Sequence, residues 1–243
     1  MISKNQVKLI QSLKQKKFRN EYQLFVAEGI KTITELLASH FDLHQLYATE
    51  SCNIDANNKI LVTEAELKKI SFLKTPNKAV AIFKMPKTLP INHDNLIVAL
   101  DDVRDPGNLG TIIRLCDWFG VSDLVCSNET VDCYNPKVVQ ATMGSITRVN
   151  ITYADLEQVF SKNDSQIFGA FMDGENVYQY NLPKKGMLVL GNEANGISRS
   201  IENLVTERIS IPRFGSLQAT ESLNVATATA ILLSEFKRNF TGK

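Results

Sequence analysis

The chain has 243 residues, of which 44% are hydrophobic, and its 27 basic and 26 acidic side chains leave a formal net charge of +1. This length fits a small domain followed by a medium-sized one, with enough apolar residues for a core in each. The balanced total excludes a strongly polycationic or polyanionic chain, so net charge alone indicates no partner. The charge is uneven, however, because residues 1–20 contain no acidic side chain and six basic ones: Lys4, Lys8, Lys14, Lys16, Lys17 and Arg19.

The first 85 residues alternate between predicted helices and strands. Apolar residues in the segment 4–17 are spaced as on one face of an amphipathic helix. Thr63 and Glu66 have the spacing of a capping box, so a helix is expected to begin there and to end near Ile70. The other predicted elements are a helix at 30–38 and strands at 24–26, 44–48, 60–62 and 78–83. This pattern predicts a small α/β domain.

Residues 86–95 contain two prolines and few apolar side chains, so we interpret them as a linker. The predicted organisation is therefore a first domain at 1–85, a linker at 86–95 and a second domain at 96–243. In the second domain we predict strands at 96–100, 123–126, 148–153, 166–171, 187–190 and 208–211, with helices at 111–119, 135–143, 155–160 and from 222 onward. Such alternation predicts a parallel sheet covered by helices on both faces.

Three polar turns near the C-terminus are candidates for a binding site. Gly191-Asn192-Glu193 ends one apolar strand, Pro212 and Gly215 end the next, and Ser222-Leu223-Asn224 opens the last helix. Together these turns supply backbone N–H groups, one carboxylate and two amides, which could hold a polar ligand mostly through the backbone. Ordinary turns of an α/β domain have the same appearance, and both interpretations stay open.

Several familiar kinds of site are excluded by the residues themselves. The chain has no GxGxxG after a strand and no Gly-Lys-Ser/Thr, so use of ATP or NAD is not expected. All histidines (His40, His44 and His93) precede the second domain, which excludes a Ser–His–Asp or Cys–His device and a His-based zinc site within it. The four cysteines (Cys52, Cys116, Cys126 and Cys133) lack metal-ligand spacing. We therefore expect no metal.

The chain is expected to be soluble and cytoplasmic. Its cysteines, without a disulfide-type pattern, suit a reducing compartment. The N-terminus lacks the apolar core of a signal peptide, and no apolar run approaches the roughly 18 residues of a membrane span.

Arg114 is the most unusual cation of the second domain. It lies on the predicted helix after Gly110, among Ile112, Ile113 and Leu115. An arginine in apolar surroundings needs a partner, so we expect Arg114 to have one; a solvated helix position is the alternative.

Three motifs in this order resemble those of the SpoU/TrmH-type RNA ribose 2′-O-methyltransferases of the SPOUT superfamily. They are DPGNLGTIIR at 105–114, LVLGNE at 188–193 with GIS at 196–198, and IP at 211–212 with SLNVA at 222–226. The segment FVAEG at 25–29, followed by a helix, resembles the N-terminal RNA-binding domain of that family, which is similar to ribosomal protein L30e. The resemblance covers most of the chain.

The resemblance implies a deep C-terminal trefoil knot, an exception to the rule against threaded chains. It also implies S-adenosylmethionine bound by the knot loops, and a homodimer whose site lies near the interface. By motif position the implied catalytic residues are Asn108, Arg114, Glu193, Ser222 and Asn224. The implied cofactor-binding residues are Leu190, Gly191, Asn192, Ile211, Pro212 and Leu223. The loop at 213–221 is longer than in the family, so no cofactor contact is carried over to it.

The expected function is S-adenosylmethionine-dependent 2′-O-methylation of RNA, with large-subunit rRNA favoured over tRNA. A catalytically silent RNA-binding or ribosome-assembly factor is the alternative, but such a factor has no need of all five motif residues. Methylation of a base is less favoured, because the motifs match the ribose branch. The basic residues Lys14, Lys16, Lys17 and Arg19 lie apart from the motifs, and we predict that they contact RNA phosphates.

The reaction needs in-line placement of a ribose hydroxyl and removal of its proton. The family pattern gives the proton to Arg114, although a guanidinium pKa exceeds about 12. Either Arg114 is desolvated and acts as the base, or it holds a phosphate while another group or water accepts the proton.

Overall fold

The computed structural model describes residues 2–162, 164–215 and 222–238. The described chain forms two compact units, one of residues up to 87 together with 132–147, and the other of residues 88–131 together with those from 148 onward. The segment 132–147, which the sequence places in the second domain, thus packs with the first unit. The functional division of the chain at 86–95 stays a prediction. No helix within the described ranges is long and apolar enough to cross a membrane.

The helices and strands follow one another largely as predicted. The helices are α1 Lys4–Ser12, α2 Lys16–Tyr22, α3 Ile30–Leu37, α4 Glu64–Ile70, α5 Pro106–Trp118, α6 Pro136–Thr142, α7 Leu156–Ser161, α8 Arg199–Glu202 and α9 Val225–Lys237. The strands are β1 Leu24–Glu28, β2 Leu43–Ala48, β3 Lys59–Leu61, β4 Ala79–Lys84, β5 Leu96–Leu100, β6 Asp123–Cys126, β7 Asn150–Tyr153, β8 Ile167–Asn176, β9 Gly186–Leu190 and β10 Glu207–Ser210.

The first unit is built on a four-stranded sheet in the order β1-β4-β2-β3. Strand β4 is antiparallel to both neighbours, whereas β2 and β3 are parallel. The predicted capping box is confirmed, since the hydroxyl of Thr63 accepts from the backbone N–H of Glu66 at 3.2 Å and the Glu66 carboxylate accepts from the N–H of Thr63 at 3.0 Å. Helix α4 therefore begins where the sequence places it.

The single helix predicted at 4–17 is wrong, because the chain breaks between α1 and α2. The carbonyl oxygens of Leu13 and Lys14 leave the helical pattern and each accepts a hydrogen bond at 2.8 Å from Nη1 of Arg19. The guanidinium thus replaces the helical donors that these carbonyls lose.

Arg19 is also misassigned as an RNA contact, because only 2% of its surface is exposed. Its Nε donates to Oδ2 of Asp132 at 2.8 Å, and Nη2 contacts the same oxygen. Asp132 is itself buried and accepts from the backbone N–H of Tyr134 at 3.0 Å. Arg19 therefore joins the α1–α2 turn to the segment before α6, and a buried, paired cation of this kind has no donor for a phosphate.

The second unit contains a six-stranded sheet in the order β10-β8-β9-β5-β6-β7, with every neighbouring pair parallel. The predicted parallel α/β sheet is thereby confirmed. Strands β5 and β9 lie side by side at its centre and are buried along their whole length, as their continuous apolar runs require. Because parallel strands end at the same edge, the chain after β5 meets the chain after β9; the backbone N–H of Asp101 donates to the carbonyl oxygen of Leu190 at 2.9 Å.

Two helices start at this edge. Helix α5 begins at Pro106, five residues earlier than predicted, because Asp105 caps it by accepting from the backbone N–H of Asn108 at 2.8 Å. Asn108 therefore lies in the first turn of the helix rather than in a loop. Asn224 caps α9 in the same way, and the two helices pack against each other.

Candidate functional site

A hydrogen-bonded network of three side chains joins the starts of α5 and α9 to the turn after β9. Nδ2 of Asn224 donates to Oδ1 of Asn108 at 2.8 Å, and Nδ2 of Asn108 donates to Oε1 of Glu193 at 2.9 Å. Oδ1 of Asn224 accepts hydrogen bonds from the backbone N–H groups of Ala226 and Thr227 and thereby caps α9. Capping therefore fixes the orientation of the Asn224 amide, and this amide fixes the orientation of the Asn108 amide. The Asn108 amide in turn donates to the carboxylate of Glu193.

Glu193 is held as a carboxylate by this arrangement. Besides Asn108, the backbone N–H groups of Arg104 and Asp105 each donate to it at 3.3 Å. Partial burial raises the pKa of Glu193, but these hydrogen bonds outweigh burial and leave its pKa below the ordinary value. The stabilising effect of the ionised group is thus fully present at neutral pH and is lost only as the pH falls through this lowered pKa.

The turn after β9 is shaped by Asn192. Its Oδ1 accepts from the backbone N–H groups of Ala194 and Asn195 at 2.9 and 3.1 Å, and its backbone exchanges two hydrogen bonds of 2.9 Å with Gly196. Its Nδ2 donates to the carbonyl oxygen of Asp102 at 2.7 Å, which ties this turn to the one after β5. The turn at residues 192–196 is therefore closed by its own hydrogen bonds and is anchored to the turn after β5.

Gly191 has no room for a side chain. A Cβ atom at this position would lie 2.1 Å from the carbonyl carbon of Gly196 and 2.2 Å from the backbone nitrogen of Ile197. The two ends of this turn therefore approach each other at a distance that only glycine permits.

A cavity of about 1240 Å³ opens beside this turn. Its lining includes both apolar and polar residues, and its volume exceeds the roughly 300–1,000 Å³ usual for a small-molecule site. It is lined by all six residues that the family resemblance implies for the cofactor, Leu190, Gly191, Asn192, Ile211, Pro212 and Leu223. Such a set of residues fits S-adenosylmethionine, which has both an apolar and a polar part. Residues 216–221 of the long loop lie outside the described residues.

The predicted catalytic residues are brought together only in part. Glu193, Ser222 and Asn224 line the cavity, and Asn108 adjoins it through the network. Arg114 does not line it and is exposed on the surface of α5. The expected partner of Arg114 is not found: within the described ranges its side chain makes no hydrogen bond or ion pair, because the apolar neighbours in sequence point to another face of the helix.

The predicted RNA-binding lysines Lys14, Lys16 and Lys17 are exposed, unlike Arg19. Among the described residues, no group of three or more His, Cys, Asp or Glu side chains is arranged to hold a metal ion.

The sequence model of the SpoU rRNA Methylase family matches residues 95–234, which is more than half of the chain. The chain belongs to this family. A second model, of the MRM3-like substrate binding domain, matches residues 4–81. The resemblance derived from the three motifs is thus confirmed.

Relatives of this SpoU family member cover nearly its whole length. The 23S rRNA (guanosine(2553)-2′-O)-methyltransferase RlmP of Bacillus subtilis is 26% identical over 242 residues, covering 95% of this chain and 96% of the relative. The solved structure of an AdoMet-bound rRNA methyltransferase from Sinorhizobium meliloti is 30% identical with a TM-score of 0.86, covering 100% and 98% of the two chains. A protein of Porphyromonas gingivalis assigned to the TrmH family is 36% identical with a TM-score of 0.89, covering 98% and 99%.

Sequence reasoning missed two acidic residues that support the SpoU motifs. Oδ2 of Asp101 accepts from the backbone N–H of Ser198 at 2.7 Å, which holds the second motif against the turn after β5. Asp102 adopts a left-handed backbone conformation (φ +58°), and its Oδ1 accepts from Nε of Arg104 at 2.7 Å. The available signal was the pair of acidic residues directly after a buried strand.

Proposed function

We propose that this SpoU family member transfers a methyl group from S-adenosylmethionine to a ribose 2′-hydroxyl of RNA, and that large-subunit rRNA is its substrate. The observation that carries the proposal is the junction of all three motifs at one cavity, with the network of Asn108, Glu193 and Asn224 along its edge. The relatives named for 2′-O-methylation of 23S rRNA support the choice of substrate. A pure RNA-binding factor would need neither the cavity nor the ordered network.

Each part of the site has a separate task in this proposal. The cofactor supplies an electrophilic methyl group on a sulfonium. Backbone groups around Gly191 and Ile211 hold the cofactor, and the network holds the amide of Asn108 in one orientation toward the incoming ribose. Glu193 is a weak base because its pKa is lowered and its oxygens already accept hydrogen bonds, so we assign it to orientation and not to proton removal.

Arg114 is assigned to the RNA. Its guanidinium is exposed and carries donors in a planar fork that suits a phosphate. An arginine so placed positions the phosphate next to the reacting ribose, and the hydroxyl proton then passes to water.

We further propose that the protein is a homodimer in which Arg114 acts in the site of the second copy. Arg114 lies six positions after Asn108 on α5, which places their side chains roughly 120° apart around the helix. Arg114 therefore faces away from the network of its own chain. Trp118, one turn further on the same face, is 84% exposed, as expected of a surface that a partner covers.

The remaining finer features belong to the same proposal. We infer a trefoil knot formed by the chain after β9 and after β10, supported by the match of residues 95–234 to the SpoU rRNA Methylase family. We infer an L30e-like RNA-binding role for the first unit, supported by the match to a substrate-binding domain. We place the protein in the cytoplasm, where bacterial ribosomal RNA is found; its four cysteines are buried.

The proposal predicts methyl transfer in a defined mixture. Purified protein, tritiated S-adenosylmethionine and a chelator are incubated with large-subunit rRNA, small-subunit rRNA or tRNA from a strain that lacks the gene. Label is expected in the large-subunit rRNA alone, and RNA from the parent strain, already methylated, should take up little. Absence of label from every RNA would overturn the enzymatic assignment, and label in tRNA alone would overturn the choice of substrate.

A further inference from the structure

Helix α2 carries an aromatic pair that no part of the proposed mechanism uses. Phe18 and Tyr22 lie four residues apart and therefore on one face of the helix. Their rings are stacked, with centroids 6.2 Å apart and planes inclined by 12°. Tyr22 is 44% exposed, so its ring presents surface to solvent instead of completing the core.

Positive charge surrounds this pair. Nζ of Lys17 lies 5.9 Å from the centroid of the Phe18 ring, and Lys14 and Lys16 are exposed nearby in the chain. Nζ of Lys14, in the turn before α2, lies 4.8 Å from the centroid of the Phe72 ring. Glu21 is the acidic residue of the helix. This surface is thus basic at the start of α2, with the aromatic pair on one face of the helix.

We propose that Phe18 and Tyr22 form a stacking platform for an unpaired nucleobase of the RNA substrate, with the lysines binding the flanking phosphates. This inference depends on the proposed function in one respect, namely that the ligand is RNA. Aromatic faces bind unstacked bases, while basic side chains bind the backbone of any RNA. Charge complementarity therefore selects a nucleic acid, and the aromatic pair selects a loop or bulge over a continuous duplex.

A purely structural role for the pair does not explain its exposure. An aromatic pair at this spacing stabilises a helix through contact between the two rings, and such contact does not require one ring to remain half-exposed. The two roles differ in what they predict. A structural role affects folding and all RNA ligands equally, whereas a stacking platform affects only RNA with an unpaired base.

The test compares two RNA probes bound by the full-length protein without cofactor. One is a fluorescently labelled hairpin with an unpaired loop, and the other is a blunt duplex with the same stem sequence. The wild-type protein is expected to bind the hairpin more tightly. Tyr22→Leu, which keeps an apolar side chain but removes the ring, should weaken hairpin binding on the order of tenfold and leave duplex binding nearly unchanged.

Two further variants complete the test. Tyr22→Phe keeps the ring and should bind the hairpin like the wild type. Lys17→Gln removes a phosphate contact and should weaken the binding of both probes. The slope of the logarithm of the binding constant against the logarithm of salt concentration should become shallower by about one unit. Photocrosslinking of a hairpin with 5-iodouridine in its loop is expected to label the peptide that contains Phe18 and Tyr22.

The proposal is overturned if the wild type does not prefer the hairpin, or if Tyr22→Leu weakens both probes equally. It is also overturned if Tyr22→Leu changes neither probe, since the surface then serves another partner such as a protein, or if Tyr22→Phe is as weak as Tyr22→Leu. Because binding is measured without methyl transfer, a protein that shows this pattern but methylates no RNA would contradict the proposed activity and leave the platform intact.

Discussion

Replacing Arg114 by alanine is expected to lower turnover roughly 100-fold or more, because the phosphate beside the reacting ribose loses its positioning group. Cofactor affinity should stay within about twofold, since Arg114 does not line the cavity. The measurements are tritium transfer at saturating RNA and calorimetry with S-adenosylmethionine.

Two variants serve as controls for Arg114→Ala. Arg114→Lys keeps the charge but loses the planar fork, and its turnover should fall between those of the wild type and the alanine variant. Arg238→Ala removes another exposed arginine, one that pairs with Glu235 at 3.0 Å, and should change turnover little. Near-normal turnover of Arg114→Ala would remove this residue from the site.

Mixed dimers test which chain supplies the arginine. Arg114→Ala and Asn108→Ala are each expected to be inactive. If Arg114 acts in the site of the second copy, a mixture of the two refolded together contains dimers with one intact site, and activity returns. If both residues act within one chain, the mixture stays inactive and the proposed arrangement is wrong. Light scattering on the full chain should give twice the mass of one chain.

Arg19→Ala is expected to lower the free energy of unfolding by about 3–5 kcal/mol, the usual cost of leaving one partner of a buried ion pair alone. The variant leaves the carboxylate of Asp132 without its charged partner and also removes the donor to two carbonyl oxygens in the α1–α2 turn. Urea unfolding, with the slope checked against the wild type, measures the change.

Arg148→Ala is the matched control for Arg19→Ala. Arg148 also pairs with an aspartate, Asp117, with Nε 3.0 Å from each carboxylate oxygen, but its side chain is 47% exposed. Removing an exposed pair should cost no more than about 1 kcal/mol. Equal losses for Arg19→Ala and Arg148→Ala would contradict the structural role given to Arg19.

Elements that depend on nearby residues could be predicted from the sequence. The Thr63–Glu66 capping box and the buried strands β5 and β9 each follow from a few neighbouring side chains, and the structure has them at the expected positions. The six residues that the family resemblance implies for the cofactor all line one cavity, because their motifs stand at strand ends at one edge of a parallel sheet; their role stays a prediction.

Features that depend on distant partners could not be predicted. The break after α1 is made by Arg19, whose own partner lies 113 residues away, and no local pattern indicates it. The network at the site joins Asn108 to Glu193, which lies 85 positions further along the chain, and to Asn224, which lies 116 positions further. Arg114 was expected to have a partner because apolar residues flank it in sequence, yet these neighbours lie on another face of α5. The sequence of residues 132–147 predicts an ordinary helix of the second domain, although these residues pack with the first unit.

The position of the transferred methyl group distinguishes methylation of a ribose from methylation of a base. Large-subunit rRNA labelled by the purified protein is hydrolysed with alkali, which cleaves next to every free 2′-hydroxyl and leaves 2′-O-methylated positions joined. The account predicts one alkali-resistant dinucleotide that carries the label, with the same position unmethylated in the deletion strain and restored by the wild-type gene but not by Arg114→Ala. Label recovered on a base, or alkali-sensitive label, would contradict ribose methylation.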